Sequence, residues 1–438
     1  LDWSSALFLL LGTLLLLMLT GLPVAFAFLG VNLIGAFVFL GGEVGLDQVV
    51  RNTIASVSNF SLAPIPLFLL MGEILFQTGV AFAAINAIDK LITRVPGRLS
   101  IVSVLGGTMF SSLSGSTIAN TAVLGSALLP DMLKRGYHPT MAMGPIMATG
   151  SIAMLIPPSA LAVLLGSLAG ISIAKLLIAG IIPGLMMAAS FLIYIIVRCR
   201  ANPALAPAYD VEPATLWQRW KPLLTHVLPL MGIFVVVVGS ILGGWATPTE
   251  SAALGSVASA LAAIGYGKLT LAAMKKAIAE TAKISVMILF IIAASVTFSQ
   301  ILAFSGAADG LLRVITGLDS GTMVLLLSML VVLLVLGAFM DQVSMIMITL
   351  PFFIPLAQSS GIDLLWFGVL MLVVMEISFT TPPFGLLIFV MKGVAPPEIS
   401  LGQVYRAAIP FILLALGVLA LLILFPDLTT WLPNLIRR

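Results

Sequence analysis

Where charge is missing decides what this chain can become. No Asp, Glu, Lys or Arg occurs over 3–42, 52–72, 99–130, 136–174, 176–197, 222–249, 284–308, 320–340, 342–362 or 407–426. A spanning helix takes about 20 apolar residues, and each of these runs is long enough to supply one. The same scarcity excludes a water-facing fold: the 438 residues carry 20 Lys and Arg and 17 Asp and Glu, 8% of the chain, where soluble domains carry about a quarter. The sequence therefore reads as one all-α polytopic membrane protein.

Glycine and proline divide the longer runs. Gly21-Leu22-Pro23 splits the first, and 170–172 separates the fourth from the fifth. The result is about ten spans, near 5–20, 22–40, 60–80, 137–168, 172–197, 223–242, 248–266, 284–305, 363–391 and 403–425. The first 20 residues lack a basic start and a small-residue cleavage site, so they read as a first span and not as a signal peptide.

Two segments are left over. The run 99–130 is too short for two crossings, and basic residues flank it on both sides: Arg94 and Arg98 before, Lys134 and Arg135 after. A single crossing would put one cluster on the wrong face of the membrane. A re-entrant hairpin over 99–131 keeps them together. Its middle, with Ser111, Ser112, Ser114, Gly115, Ser116, Thr117, Asn120 and Thr121, suits open backbone at membrane depth, sheltered by protein or a polar cavity. With 199–222 as a cytoplasmic linker, 15 of the 20 basic residues fall inside and both termini fall outside.

An offset of 225 residues aligns Pro23 with Pro248, Gly30 with Gly255, Pro130 with Pro355, Gly136 with Gly361, and Pro157-Pro158 with Pro382-Pro383. The chain thus reads as two repeats, 1–198 and 223–438, and the alignment makes 320–358 a second hairpin. An odd number of crossings per repeat inverts the second relative to the first. Inverted repeats with broken helices mark secondary transporters, whose binding site lies near the midplane.

The double prolines lie deep in apolar segments, where proline removes a backbone donor and breaks the helix. Prolines and small serines can also serve helix packing alone, but double prolines repeated in register beside polar hairpins favour an ion site. Freed carbonyls with nearby hydroxyls suit a small hard cation such as sodium, and half-helix N-termini suit an anionic group. Ser116, Asn120, Asp341 and Thr380 are the candidates for the anion. Glu73, Asp341 and Glu376 are acids at membrane depth, functional candidates by default because an unpaired charge there is costly; Asp341, at the second hairpin tip, is the strongest, while Glu73 and Glu376 are either protonated or paired with backbone amides that fix helix ends.

Other chemistries lack their residues. One cysteine, Cys199, and two distant histidines, His138 and His226, offer neither a disulfide framework nor a metal cluster. No phosphate-binding loop is present, so no nucleotide is expected to drive the chain. The dispersed basic residues do not read as a nucleic-acid face. No catalytic constellation suggests an enzyme.

Five stretches together resemble a known family: Phe110-Ser111-Ser112-Leu113-Ser114-Gly115-Ser116, Leu155-Ile156-Pro157-Pro158-Ser159, Ala246-Thr247-Pro248-Thr249-Glu250-Ser251-Ala252-Ala253, Phe339-Met340-Asp341 and Thr381-Pro382-Pro383. The family is the large membrane (M) subunit of tripartite ATP-independent periplasmic (TRAP) transporters, within the ion transporter superfamily. The resemblance implies an elevator mechanism, a small four-helix membrane partner, and a periplasmic binding protein that delivers substrate. It implies sodium at a first site of Ser111, Ser114, Ala153, Ile156 and Pro157. With the repeat, it implies a second site of Gly337, Ser378, Thr381 and Pro382. Ala153 departs from the glycine expected there, a change that keeps the carbonyl ligand. The expected function is sodium-coupled import of small organic anions, carboxylates such as dicarboxylates or sugar acids, across a bacterial inner membrane and among membrane lipid. The alternative is a stand-alone divalent-anion/sodium symporter of the same superfamily.

Overall fold

The structure, a computed structural model, describes residues 2–92, 95–208, 215–317, 321–383 and 385–435, excluding the side chains at 81, 112–114 and 316. Among the described residues it is helical, with no strand. That follows from the composition, because backbone in hydrocarbon has to satisfy its own polar groups.

The chain opens with α1 (Trp3–Leu19) and α2 (Val24–Phe39), separated where Gly21 takes a φ of 83° and Pro23 follows. Next come α3 (Glu43–Val57), α4 (Pro64–Gln77) and α5 (Val80–Leu91). A close helix pair follows, α6 (Arg98–Ser114) and α7 (Thr117–Lys134), joined only through Gly115 and Ser116. The helix α8 (Pro139–Gly150) stops, 151–159 is non-helical, and α9 (Ala160–Ala169) resumes; α10 (Ile173–Ala179) and α11 (Ile181–Ala201) come after it.

The second part begins with α12 (Leu216–Pro222), which passes through a π-helical turn (Leu223–Val227) into α13 (Leu228–Leu242). Then come α14 (Pro248–Gly265), α15 (Leu271–Phe304) and α16 (Ala307–Gly317). A second pair, α17 (Thr322–Leu336) and α18 (Gln342–Ser359), is joined through 337–341. The helix α19 (Leu364–Ser378) stops before a break and α20 (Leu386–Val394) resumes; α21 (Leu401–Leu424) and α22 (Asp427–Asn434) follow. Six helical segments are long and apolar enough to cross a membrane: Phe60–Gln77, Ile173–Ala201, Leu216–Leu242, Leu271–Phe304, Gln342–Ser359 and Leu401–Leu424.

Two groups of helices share one continuous apolar core. In the outer group, α15 packs on α2, α3 and α4, and α14 on α4 and α13; in the inner group, α8 packs on α6, α7 and α21, and α19 on α17 and α21. They meet where α4 touches α6 and α9, and where α15 touches α18. Large apolar side chains face outward from the assembly, with Phe8, Leu19 and Trp245 more than four-fifths exposed. Such a surface fits hydrocarbon and would aggregate in water.

Prolines inside helices leave carbonyls without a donor, and hydroxyls on neighbouring helices supply one. Pro145 cannot bond to Met141 in α8, and Ser100 of α6 donates its hydroxyl to the Met141 carbonyl at 2.6 Å. Pro351 leaves Met347 of α18 in the same position, and Ser295 of α15 donates to it at 3.2 Å. The linker between the two parts is also held: Gly97 N–H donates to Ala206 O at 3.2 Å and His138 N–H to Leu205 O at 2.8 Å. Beside it Arg98 pairs with Asp89 at 2.9 Å. Burial pushes the Asp89 carboxyl above its usual range against the pull of that guanidinium.

Candidate functional site

The first break is built around the tip of the α6–α7 pair. Gly115 closes α6 in a left-handed conformation, φ 59°, and its N–H donates to Ser111 O at 3.0 Å. Ser116 caps α7 by accepting the Ala119 N–H at 3.3 Å. A β-carbon at Gly115 would stand 3.1 Å from Pro158 O, so the tip lies directly against the broken helix.

The end of α8 is tied to both arms of this pair. Ser111 Oγ donates to Thr149 O at 3.1 Å. Asn120, fully buried, donates from Nδ2 to Thr149 O at 3.3 Å, to Gly107 O at 3.4 Å and to Ser111 Oγ. Its Oδ1 is buried with no hydrogen-bond partner among the described residues. Beyond Thr149 the helix tightens into three-residue turns, with Ile152 N–H to Thr149 O at 3.3 Å, Ala153 N–H to Gly150 O at 3.1 Å and Leu155 N–H to Ile152 O at 3.0 Å. The carbonyls of Ala153 and Ile156 accept no hydrogen bond among the described residues. A β-carbon at Gly184 of α11 would lie 2.6 Å from the Ile156 side chain, so that helix walls the break closely.

The second break has matching parts. A β-carbon at Gly337, at the tip of the α17–α18 pair, would overlap Ser378 Oγ at the end of α19. Ser378 Oγ donates to Met375 O at 2.7 Å, while the Thr380 and Thr381 hydroxyls both donate to Ile377 O at 2.9 Å. Each hydroxyl spends its proton on the helix end and keeps lone pairs for a cation. The carbonyls of Gly337 and Pro382 accept no hydrogen bond among the described residues. Asp341 is the cap of α18, its Oδ1 accepting the Ser344 N–H at 3.1 Å and its Oδ2 the Ser344 hydroxyl. Pro157-Pro158 and Pro382-Pro383 are both cis.

The structure thus brings Ser111 to the end of α8 and Gly337 to Ser378, and it sets Ala153, Ile156 and Pro157 in the first break and Thr381 and Pro382 in the second. The Ser114 side chain lies outside the described residues. Asn120, proposed for the anion, is turned onto Ser111 and Thr149. Glu73 accepts a hydrogen bond from Gln77 Nε2 at 2.9 Å within α4 and makes none to either break among the described residues.

Sequence reasoning made Glu376 a functional candidate at membrane depth without fixing its role. It is fully buried on α19, where its Oε1 accepts the Met154 N–H at 2.7 Å and the Thr117 hydroxyl at 3.0 Å. It therefore links α19 to the first break and to the start of α7. Its signal in the sequence was an acid at membrane depth; its partners, 222 and 259 positions away, gave none.

The fold matches solved transporters. A YdaH transporter of Alcanivorax borkumensis superposes with a TM-score of 0.63 at 18% identity over 90% of each chain. MtrF of Neisseria gonorrhoeae superposes at 0.58 and 14% identity, over 89% of this chain and 85% of that one. By class, then, the protein is an all-helical polytopic membrane protein with the fold of these transporters. The family model described as "Tripartite ATP-independent periplasmic transporter, DctM component" matches residues 11–428. The large permease protein DctM of a C4-dicarboxylate TRAP transporter from Pseudomonas aeruginosa is 33% identical over 86% of this chain and 87% of its own length. The sialic acid permease SiaM of Vibrio cholerae is 30% identical over 96% of each chain. The ectoine permease TeaC of Halomonas elongata is 30% identical over 97% of this chain and 98% of its own. The chain belongs to the DctM family, the large permease subunits of TRAP transporters.

Proposed function

We propose that this subunit drives sodium-coupled import of a small carboxylate across a bacterial inner membrane. The observation that carries the reading is the set of open carbonyls at Ala153, Ile156, Gly337 and Pro382, each near a hydroxyl-bearing helix end. Partial negative charge concentrates where helix C-termini are left unpaired, and hard oxygen donors without competing protons suit sodium. The first ion takes Ser111, Ser114, Ala153, Ile156 and Pro157, and the second Gly337, Ser378, Thr381 and Pro382. The anion lies between them, near Ser116, Asn120, Asp341 and Thr380 and the N-termini of α7, α9, α18 and α20. C4-dicarboxylates, sialic acid and ectoine, named for the relatives, all carry a carboxylate, which supports that class.

In this reading 1–198 and 223–438 are inverted repeats of about ten spans in total, with hairpins at 99–131 and 320–358, a cytoplasmic linker at 199–222 and periplasmic termini. The inner helix group slides as an elevator against the outer one. A small four-helix membrane subunit and a periplasmic binding protein complete the system. Each sodium crossing ~100 mV supplies roughly 2.3 kcal/mol, so two ions supply about 4.6, less the charge carried by the anion.

The test is uptake in proteoliposomes holding the chain with its small membrane partner. Candidate binding proteins loaded with a C4-dicarboxylate, sialic acid or ectoine are added outside under an imposed sodium gradient. Accumulation is expected only with the gradient and a matching binding protein. Accumulation that survives dissipation of the sodium gradient would overturn the coupling, and uptake without any binding protein would favour the stand-alone symporter.

A further inference from the structure

Glu376 belongs to the second part of the chain but holds the backbone of the first break. Its Oε1 lies 2.7 Å from the Met154 amide nitrogen. That N–H shares a peptide plane with the Ala153 carbonyl, and in a trans peptide the two point in opposite directions. A carboxylate gripping the N–H therefore fixes which way the Ala153 oxygen faces. The second contact, with the Thr117 hydroxyl at 3.0 and 3.3 Å, ties the same carboxylate to the first turn of α7 beside the hairpin tip. Two residues further on, Ser378 lies against Gly337 of the other hairpin.

We infer that Glu376 is a positioning residue that aims the Ala153 carbonyl at the first sodium site and couples that site to the second through the end of α19. The inference rests on the sodium sites proposed above. An ion bound at the second site stiffens the end of α19, which stiffens Glu376 and presents the Ala153 carbonyl; occupancy of one site then favours the other. A packing role alone is the competing account, and it predicts lost stability with no change in sodium affinity.

The experiment is a sodium titration read two ways, as thermal stabilisation of the purified chain in detergent and as uptake rate in proteoliposomes. Glu376→Gln keeps the shape and one oxygen acceptor for Met154 but replaces the second oxygen, which the Thr117 hydroxyl contacts at 3.3 Å, with an amide nitrogen that cannot accept. The expected result is a half-saturating sodium concentration raised at least fivefold and a Hill coefficient falling from near two toward one, with substrate KM at saturating sodium little changed. Thr117→Val, which removes only the hairpin contact, is expected to shift the sodium midpoint about twofold and serves if Glu376→Gln does not fold. Wild-type sodium dependence retained unaltered in the folded variants would overturn the role of Glu376 and leave the sodium reading standing. A wild-type chain with no sodium response would overturn both.

Discussion

At the scale of single residues, the site depends on side chains that are absent as much as on those present. Gly337 and Ser378 approach so closely that no β-carbon fits between them. Gly337→Ala is expected to destabilise the chain by about 1–3 kcal/mol through overpacking and to abolish the second ion site. Adding Ser378→Ala should recover part of the stability and none of the sodium response. Thermal unfolding in detergent and sodium titration of the two variants separate these effects; a fully stable Gly337→Ala variant would refute the packing argument. The resemblance and the repeat grouped Gly337 with Ser378 in one site, but that the two stand too close for a β-carbon is seen only in the fold. Asn120 teaches the same lesson. Its polarity at membrane depth marked it as functional, but only the fold turns its amide onto Ser111 and Thr149 and leaves Oδ1 unpartnered.

At the scale of elements, the breaks were the most legible part of the chain. A double proline forbids helix continuation whatever surrounds it, and α8 and α19 end ahead of Pro157-Pro158 and Pro382-Pro383. The short helices α3, α5, α12, α16 and α22 were not read as elements, since their mixed charge and short length give little pattern to detect. Nor was the interplay of prolines with hydroxyls on other helices legible. Pro145 and Ser100 offer a clean test of it. Ser100→Ala alone strands the Met141 carbonyl in an apolar core, at a cost of about 1–3 kcal/mol. Pro145→Ala restores an N–H four residues after Met141, so the double variant is expected to be less destabilised than the sum of the two singles. Additive losses in a double-mutant cycle would show that the serine is not compensating for the proline.

At the scale of the whole molecule, two helix groups meet along a seam that includes the hydrogen bond from Ser295 of α15 to Met347 of α18. The elevator motion proposed above would have to break that contact in every cycle. A cysteine pair at 295 and 347, joined by a short bis-methanethiosulfonate that forms a disulfide with each thiol and releases methanesulfinate, is therefore expected to stop transport while leaving sodium-dependent thermal stabilisation in place. Because positions 295 and 347 are as buried as native Cys199, the pair is placed in a Cys199→Ala background so that cross-linking reports on it alone. Transport that continues in cross-linked protein would refute the sliding of one group against the other.

The stretch Ala246-Thr247-Pro248-Thr249-Glu250-Ser251-Ala252-Ala253 was one of the five that together carried the resemblance, and in the structure it starts a helix. The Thr247 hydroxyl accepts the Glu250 N–H at 3.3 Å while Glu250 Oε2 accepts the Thr247 N–H at 2.7 Å, a reciprocal cap worth about 1 kcal/mol. None of these residues lies in either break. A signature of this kind records ancestry without recording diet: a lineage can change what it imports and still carry the phrase unchanged. Names assigned to new sequences on the strength of such phrases identify the machine and leave its cargo to be learned at the breaks.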